Sequence, residues 1–349
     1  MPPLSLEAHL ASKRDHRECL AAIRTGSRTF YTASQLLPHS VRSPAYGLYA
    51  FCRLSDDAVD IDGGSSVALE RLYHRLGRAC EGRPLPFAAD RAMADLMRRY
   101  AIPRAVPEAL LEGLGWDTEG RRYETLEDLQ SYAARVAATV GVMMTLLMRV
   151  REPSALARAC DLGVAMQLTN ISRDVGEDAR AGRIYLPLEW MREAGVDVED
   201  FLRDPRPSKA LAGVVARLLA EADRLYQRSR AGVAELPGAC RPAILAASTI
   251  YAEIGREVEK HSHDSVTRRA RVTGRRKLAL LAQATASAAR LAAAPSSPPL
   301  PATAFLVDAV THSRMAMIPE SRGFANVRRS FLRVLDIFEQ LERSEQFGD

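Results

Sequence analysis

Apolar residues recur along most of this chain at the three- and four-residue intervals of an α-helix, and strand-like alternation is almost absent. The pattern predicts helices near residues 7–24, 44–61, 67–81, 88–100, 107–115, 126–151, 154–178, 208–235, 241–261 and 274–293. Terminal signals agree with it: Ser43 is placed to cap a helix whose first turn holds Pro44, Pro107 to open another, and Thr125 with Asp128 to form a capping box. Gly63 and Gly64 close the second segment, and Pro153 separates the sixth from the seventh. The run APSSPPLPA around 294–302 is proline-rich and is not expected to pack. The chain is therefore expected to be all-α: one helical domain over 1–293, a linker over 294–302, and a helical appendage over 303–349 that includes an amphipathic stretch at 327–341.

Two of the expected helices carry an unusual polar stripe. In PAYGLYAFCRLSDDAVD, residues 44–60, Tyr49, Arg53, Asp56 and Asp60 are spaced by four, three and four, so they share one face of a helix that is otherwise apolar. A helix apolar nearly all round is buried, and a buried carboxylate needs a partner or a metal. The alternative is that Asp56, Asp57, Asp60 and Asp62 mark a solvated helix end beside Gly63.

The second stripe shifts the balance. In DLGVAMQLTNISRDVGED, residues 161–178, Gln167, Asn170, Asp174 and Asp178 again fall on one face, bordered by Val164, Leu168, Ile171 and Val175 on one side and Leu162 and Met166 on the other. Facing helices of this kind would bring four carboxylates, a carboxamide pair and arginines to one cavity. Such oxygens suit Mg²⁺, which binds through one or two carboxylates together with substrate phosphate oxygens. Arg53, in line with the carboxylates, is assigned to neutralising a diphosphate; Arg173, one step off its stripe, serves equally well as a structural partner of Asp174.

Composition narrows the classes without choosing among them. The chain has 349 residues, 47% apolar and 26% charged, which is ordinary for a globular protein. Cys19, Cys52, Cys80, Cys160 and Cys240 stand too far apart for a zinc or redox motif and are expected to be reduced. The N-terminal stretch lacks the apolar core of a secretion signal, and the most apolar run, 136–148, is shorter than the roughly 20 residues needed to cross a bilayer. A cytoplasmic location is expected. The formal charge of +5 favours polyanionic ligands, anionic lipid or nucleic acid.

The motifs themselves resemble the squalene and phytoene synthase family. LGVAMQLTNISRDVGEDARAGRIYLP, residues 162–187, is similar to that family's second aspartate-rich motif along its whole length, DDAVD at 56–60 to its first, and YAARVAATVGVMMTLL at 132–147 to another of its stretches. GSRTF at 26–30 sits where the family has a short diphosphate-contacting segment, and YAEIGREVEKHSHDSVTRRARV from Tyr251 is most similar to the bacterial phytoene synthases. The resemblance implies the class I isoprenoid synthase fold, a single helical domain around a central cavity, and a peripheral membrane association. It implies head-to-head condensation of two geranylgeranyl diphosphates through prephytoene diphosphate, with Mg²⁺ (or Mn²⁺) and without NADPH. Contact with carotenoid enzymes acting before or after it is implied as well. Metal binding is carried onto Asp56, Asp60, Asn170, Asp174 and Asp178, and diphosphate contact onto Ser27, Arg28, Arg53, Arg173, Arg269 and Lys277. Tyr49, Tyr132 and Gln167 match cavity positions, where phenol and amide dipoles steer a carbocation. Gly26 and Arg28 depart from the histidine and lysine of relatives.

Three other readings compete. DDAVD also fits the chain-elongating prenyltransferases and terpene cyclases, but their second motif differs from Asn170, Asp174 and Asp178 with Arg173. A family member acting on farnesyl diphosphate, giving squalene, dehydrosqualene or hydroxysqualene, is nearer. RRARVTGRRK at 268–277 raises nucleic-acid binding, but the run has no interleaved aromatic residues and leaves both stripes unexplained, so no nucleic-acid partner is expected. Walker, GxGxxG, HExxH and GxSxG motifs are absent from the sequence.

Overall fold

The structure, a computed structural model, describes residues 9–61, 66–291 and 297–313, with a few side chains among them left aside. Its elements are α-helical with one π-helical turn and one short 3₁₀ turn, and no strand occurs among the described residues. In chain order they are α1 (Lys13–Gly26), α2 (Arg28–Ser34), α3 (His39–Ile61), α4 (Ser66–Cys80), α5 (Ala88–Tyr100), α6 (Ala105–Thr118), α7 (Leu126–Ala133), a π-helical turn (Ala134–Ala138), α8 (Thr139–Leu147) and α9 (Pro153–Arg180). There follow α10 (Leu188–Glu193), α11 (Val198–Arg203), α12 (Lys209–Val233), α13 (Arg241–Lys260), α14 (Gly274–Ala288), a 3₁₀ turn (Pro301–Thr303) and α15 (Ala304–Thr311).

The longest element, α9, is the axis of the fold. Pro153 sits at its start, where the missing N–H is no loss, and its 28 residues extend about 42 Å. α12, α13, α8 and the π-helical turn pack around it, while α1, α3 and α5 form a second layer on the other side of α8. The capping box at the start of α7 is present as expected: Asp128 N–H donates to Thr125 Oγ1 at 3.2 Å and Thr125 N–H to Asp128 Oδ2 at 3.1 Å.

The π-helical turn interrupts what the periodicity presents as one helix over 126–151. Thr139 N–H reaches back five residues to Ala134 O, which widens the helix where it meets α9. Contact there is between backbones: a Cβ on Gly163 would lie 2.7 Å from Ala138 Cα and 2.8 Å from Ala137 O, and one on Gly141 would lie 2.6 Å from Ala159 O.

The structure differs from the sequence expectation in four further places. α3 begins at His39 instead of being capped by Ser43, so Pro44 lies inside it; burial of Leu37 and Val41, with Pro38 O accepting from the Val41 and Arg42 N–H groups, extends the helix back past the proline. α1 starts at Lys13, behind a Ser12–Asp15 capping box, instead of near residue 7. Short helices α2, α10 and α11 are too brief for periodicity to register. The second half of the proline-rich run packs: Leu300 and Thr303 are buried and Pro298 O accepts two arginine hydrogen bonds. The amphipathic stretch at 327–341, Gly63 and Gly64 lie outside the described residues. Among the described residues no helix is long and apolar enough to cross a membrane.

Gly163→Ala should cost about 1–3 kcal/mol, the usual range for forcing extra atoms into a packed interior. Urea denaturation at neutral pH measures it, and an unchanged midpoint would show that the two backbones have room to separate.

Candidate functional site

A cavity of about 340 Å³ runs between α2, α3, α8, α9, α12 and α13. Most of its wall is apolar: Phe30 and Ala33 from α2, Leu48 from α3, Val140 and Met144 from α8, Leu162 and Met166 from α9, and Val233 and Ile244 from α12 and α13. One end is polar, with Tyr49 and Cys52 of α3 facing Gln167 and Asn170 of α9 and Tyr251 of α13. The two striped helices therefore line one space from different sides.

On the α9 side, the stripe continues past Asn170 to Asp174, whose side chain is 16% exposed. Two guanidinium groups grip it: Arg173 Nε and Nη2 donate at 2.7 and 2.5 Å, and Arg269 Nε and Nη2 at 2.9 and 3.2 Å. Arg269 Nη1 also lies 3.2 Å from Glu177. Arg269 is brought there by close packing of its loop on α9, where Gly176 N–H donates to Ser265 O at 3.0 Å and a Cβ on Gly176 would lie 2.5 Å from Val266 O. One turn further, Asp178 is pushed up to about 7, first by burial and then by the Asp174 charge; Arg183 opposes the shift. Gly182, at φ 74°, turns the chain so that Arg183 N–H returns to Asp178 O at 2.8 Å.

The α3 side is more open. Arg53 Nη2 is 2.7 Å from Asp57 Oδ1 and its Nη1 is 3.6 Å from Asp56 Oδ2, and Asp56 is about half exposed. The Asp60 side chain lies outside the described residues. Tyr49 is raised by burial above the usual phenol range, and its hydroxyl abuts Gly26, where a Cβ would lie 2.3 Å from Oη. That contact gives a steric reason for glycine at this position. Ser27, the next residue, caps α2 by accepting from Phe30 N–H at 3.3 Å. The Arg28 side chain is not described, and Lys277 is half-buried on α14, away from the cavity wall.

Of the sequence-derived candidates, Tyr49, Gln167 and Asn170 share the cavity wall, and Arg173, Asp174 and Arg269 form one cluster. Tyr132 is not on the wall. Its hydroxyl donates to Asp117 Oδ2 at 2.9 Å, and Tyr185 donates to Oδ1 at 2.8 Å. The rings of Tyr123, Tyr132 and Tyr185 pack together at 5.1 to 6.2 Å between centroids. Asp117 is pushed up to about 6, first by burial, with the two phenols and Arg183 opposing. It is electrostatically coupled to Asp56 and Asp178. Sequence reading missed Asp117 and Arg183. Only the placement of Arg183 and Tyr185 within the quoted 162–187 motif hinted at their part, and no spacing links residue 117 to 132 or 185.

Among the described residues no three His, Cys, Asp or Glu side chains are gathered closely enough to hold a metal on their own. Asp56 and Asp174 stand on different helices and each is paired with arginine. One atom nevertheless fits a hard cation: Asn170 Oδ1 is buried without a hydrogen-bond partner, while its amide nitrogen lies 3.5 Å from Gln167 Oε1. An unsatisfied buried oxygen at the polar end of the cavity, on the helix face that continues to Asp174 and Asp178, matches the donor set of a divalent ion completed by substrate oxygens.

The model of the squalene/phytoene synthase family matches residues 23–276. The chain is 52% identical over 314 residues to a phytoene synthase of Rhodobacter capsulatus, covering 88% of this chain and 93% of that one. It is 51% identical over 358 residues to a phytoene synthase of Cereibacter sphaeroides, covering 97% and 99%. Among solved structures, a dehydrosqualene synthase in complex with ligand superposes with a TM-score of 0.73 at 31% identity, over 79% of this chain and 97% of that one. The squalene synthase HpnC from Alicyclobacillus acidocaldarius, at 23% identity and a TM-score of 0.64, shares the fold.

Asp117 gives a pH signature. Its carboxyl holds a proton to about pH 6 in the folded protein, against an ordinary value of 3.8, so its contribution to stability is full below about pH 4 and is lost as pH rises through 6. The gap corresponds to roughly 2–3 kcal/mol. Asp117→Asn should remove that slope, and urea denaturation of both proteins from pH 4 to 8 measures it. A stability difference between them that stays flat across this range would rule Asp117 out as the titrating group.

Proposed function

Because the chain belongs to the squalene/phytoene synthase family, we propose that it condenses two geranylgeranyl diphosphates head to head, through prephytoene diphosphate, to phytoene, with Mg²⁺ as its metal. The observation that carries the chemistry is the cavity itself, apolar along its length and closed at one end by Tyr49, Gln167, Asn170 and Tyr251 between two aspartate-bearing helices. The C20 substrate rests on the 52% and 51% identity to phytoene synthases.

In the first half-reaction the C–O bond of one diphosphate breaks, and the allylic cation is attacked by the double bond of the second substrate. Loss of a proton closes the cyclopropane. In the second, the remaining diphosphate leaves, the cation rearranges, and loss of another proton gives the C40 hydrocarbon. Two diphosphates and two protons depart, and the electron count needs no reductant, so NADPH has no role.

Enzymes of this type use a divalent metal. Asp56, Asp60, Asn170, Asp174 and Asp178 are the donors that would hold it, and when bound it makes diphosphate a good leaving group. Arg53, Arg173 and Arg269, with Ser27, Arg28 and Lys277, are assigned to the diphosphate charge. Arg173 and Arg269 already hold Asp174 in place and present further N–H groups for an incoming anion. Phe30, Met144, Leu162 and Val233 keep water from the cations. Tyr49, Gln167 and Tyr251 offer oxygen dipoles along the cation's path. Tyr251, raised to about 12 by burial, stays protonated at neutral pH. Tyr132 acts at one remove, orienting Asp117 behind the site.

A C40 hydrocarbon is insoluble in water, which supports peripheral contact with a membrane and with enzymes acting before or after this one. The polar stripes and the engagement of Arg269 and Arg276 with carboxylates weigh against a nucleic-acid role.

Asp56→Ala, Asp60→Ala and Asp178→Ala should each abolish turnover with circular dichroism unchanged. Asp174→Asn, which keeps an acceptor for its two arginines, should do the same. Near-normal rates in two of these variants at excess Mg²⁺ would defeat the metal assignment. The substrate is tested by competition: purified protein, Mg²⁺ and equal C15 and C20 diphosphates should give mainly C40 product by mass spectrometry, whereas mainly C30 product would make it a farnesyl-using member of the family.

A further inference from the structure

The family match ends at residue 276, yet the chain continues to build structure beyond it. Residues 297–303 and α15 lie back across α6, α8, α9 and the π-helical turn, burying Leu300, Thr303, Leu306, Val307 and Val310. A carbonyl fastens this segment. Pro298 O accepts from Arg158 Nη2 at 3.1 Å and from Arg228 Nη2 at 2.9 Å. Between the two guanidinium groups sits Asp161, fully buried, its Oδ2 3.0 Å from Arg158 Nε and 3.1 Å from Arg228 Nε. Only the Arg228 contact is aligned as a hydrogen bond, and Asp161 Oδ1 has no partner. Two cations share one carboxylate, so the cluster carries an excess of positive charge in a place where an uncompensated charge is costly. The Pro298 carbonyl turns its negative end toward both guanidinium groups.

Arg158 is also part of the cavity wall, although its side chain is only 3% exposed. It lies about 18 Å along α9 from Asn170, at the end remote from the aspartates. The wall around it comes from Ala155, Leu162, Gly232, Val233 and Leu236. A Cβ on Gly232 would lie 2.2 Å from Arg158 Cβ, so the base of the arginine is held against α12 while its guanidinium is turned out to Pro298.

We propose that Arg158 is latched outward by the C-terminal segment, so that neither its charge nor its hydration water enters the end of the cavity remote from the aspartates. This rests on the carbocation chemistry proposed above. Released from Pro298, the guanidinium is left with a carboxylate it shares with Arg228, and the adjoining open space is the cavity. A cation swinging there brings water with it. The apolar wall has few groups to hold that water, so it reaches the allylic cation formed at the polar end: a C–O bond forms to the water oxygen, a proton passes to solvent, and a prenyl alcohol leaves instead of the C40 hydrocarbon.

The test is product partition in ¹⁸O-water with geranylgeranyl diphosphate and Mg²⁺, since capture at carbon labels the alcohol and adventitious phosphatase cleavage at phosphorus does not. Leu306→Ser/Val310→Ser in the full-length chain undocks α15, and should raise the labelled alcohol severalfold relative to phytoene. Adding Arg158→Met should return the ratio toward wild type, because the charge that carries water is gone. Pro298→Gly/Pro299→Gly loosens the latch without touching a buried side chain, and should give a smaller rise even if the first variant does not fold. A ratio unchanged in every folded variant, or a rise that Arg158→Met fails to reverse, would overturn the proposal. A general loss of stability would lower the rate without moving the ratio. If the competition between C15 and C20 diphosphates gives mainly C30 product, the substrate assignment fails, and the same ratio measured with the C15 diphosphate still decides the role of Arg158.

Discussion

Asp174 sits at 16% exposure on a helix whose other faces are packed, and the electrostatic cost of placing it there shapes everything around it. Arg173 is adjacent in sequence, but Arg269 comes from 95 residues away, and it arrives only because α9 has no side chain at Gly176 to hold the 261–273 loop off. The basic run that could be taken for a nucleic-acid patch is therefore partly consumed inside the molecule, Arg269 on Asp174 and Arg276 on the buried Glu253. A charge on one helix thus dictates the position of a distant loop.

The same economy of space governs the apolar end. Gly163 brings α9 onto the widened π-helical turn, Gly141 brings α8 onto α9, and Gly232 brings α12 onto Arg158. With these walls drawn together, side chains such as Met144, Met166 and Leu162 line a continuous slot instead of filling it. A cavity of this kind can carry reactive cations because its surface offers no nucleophile along most of its length, and its few oxygens cluster where charge is to be stabilised.

Electrostatics also separates the roles of groups that look alike. Asp178 and Asp117 are both raised by burial, but Asp178 is raised further by the Asp174 charge, which Arg183 only partly offsets, whereas Asp117 is satisfied by two tyrosine hydroxyls. The first environment calls for a cation; the second is a supporting framework that fixes Tyr132 and Tyr185. Arg158 and Arg173 differ in the same way, one facing a carbonyl outside the cavity and the other the site's own carboxylate.

Helical periodicity alone determined the all-α class and most of the long elements, because each of those helices buries one continuous face and the spacing of that face is written in consecutive residues. The stripes Tyr49–Arg53–Asp56–Asp60 and Gln167–Asn170–Asp174–Asp178 were legible for the same reason, and the quoted motifs led to the family. Contacts set by packing between distant segments were not legible. The start of α3 was decided by burial of Leu37 and Val41 overriding a proline, the π-helical turn by backbone contact with Gly163, and the packing of residues 297–303 by burial of Leu300 and Thr303 and by the Pro298 carbonyl meeting Arg158 and Arg228. Tyr132 moved from the cavity wall to Asp117 because its hydroxyl, once buried, has to donate, and the acceptor within reach lies fifteen residues earlier on another helix. Periodicity records which face of a helix is buried; only the tertiary structure decides what that face meets.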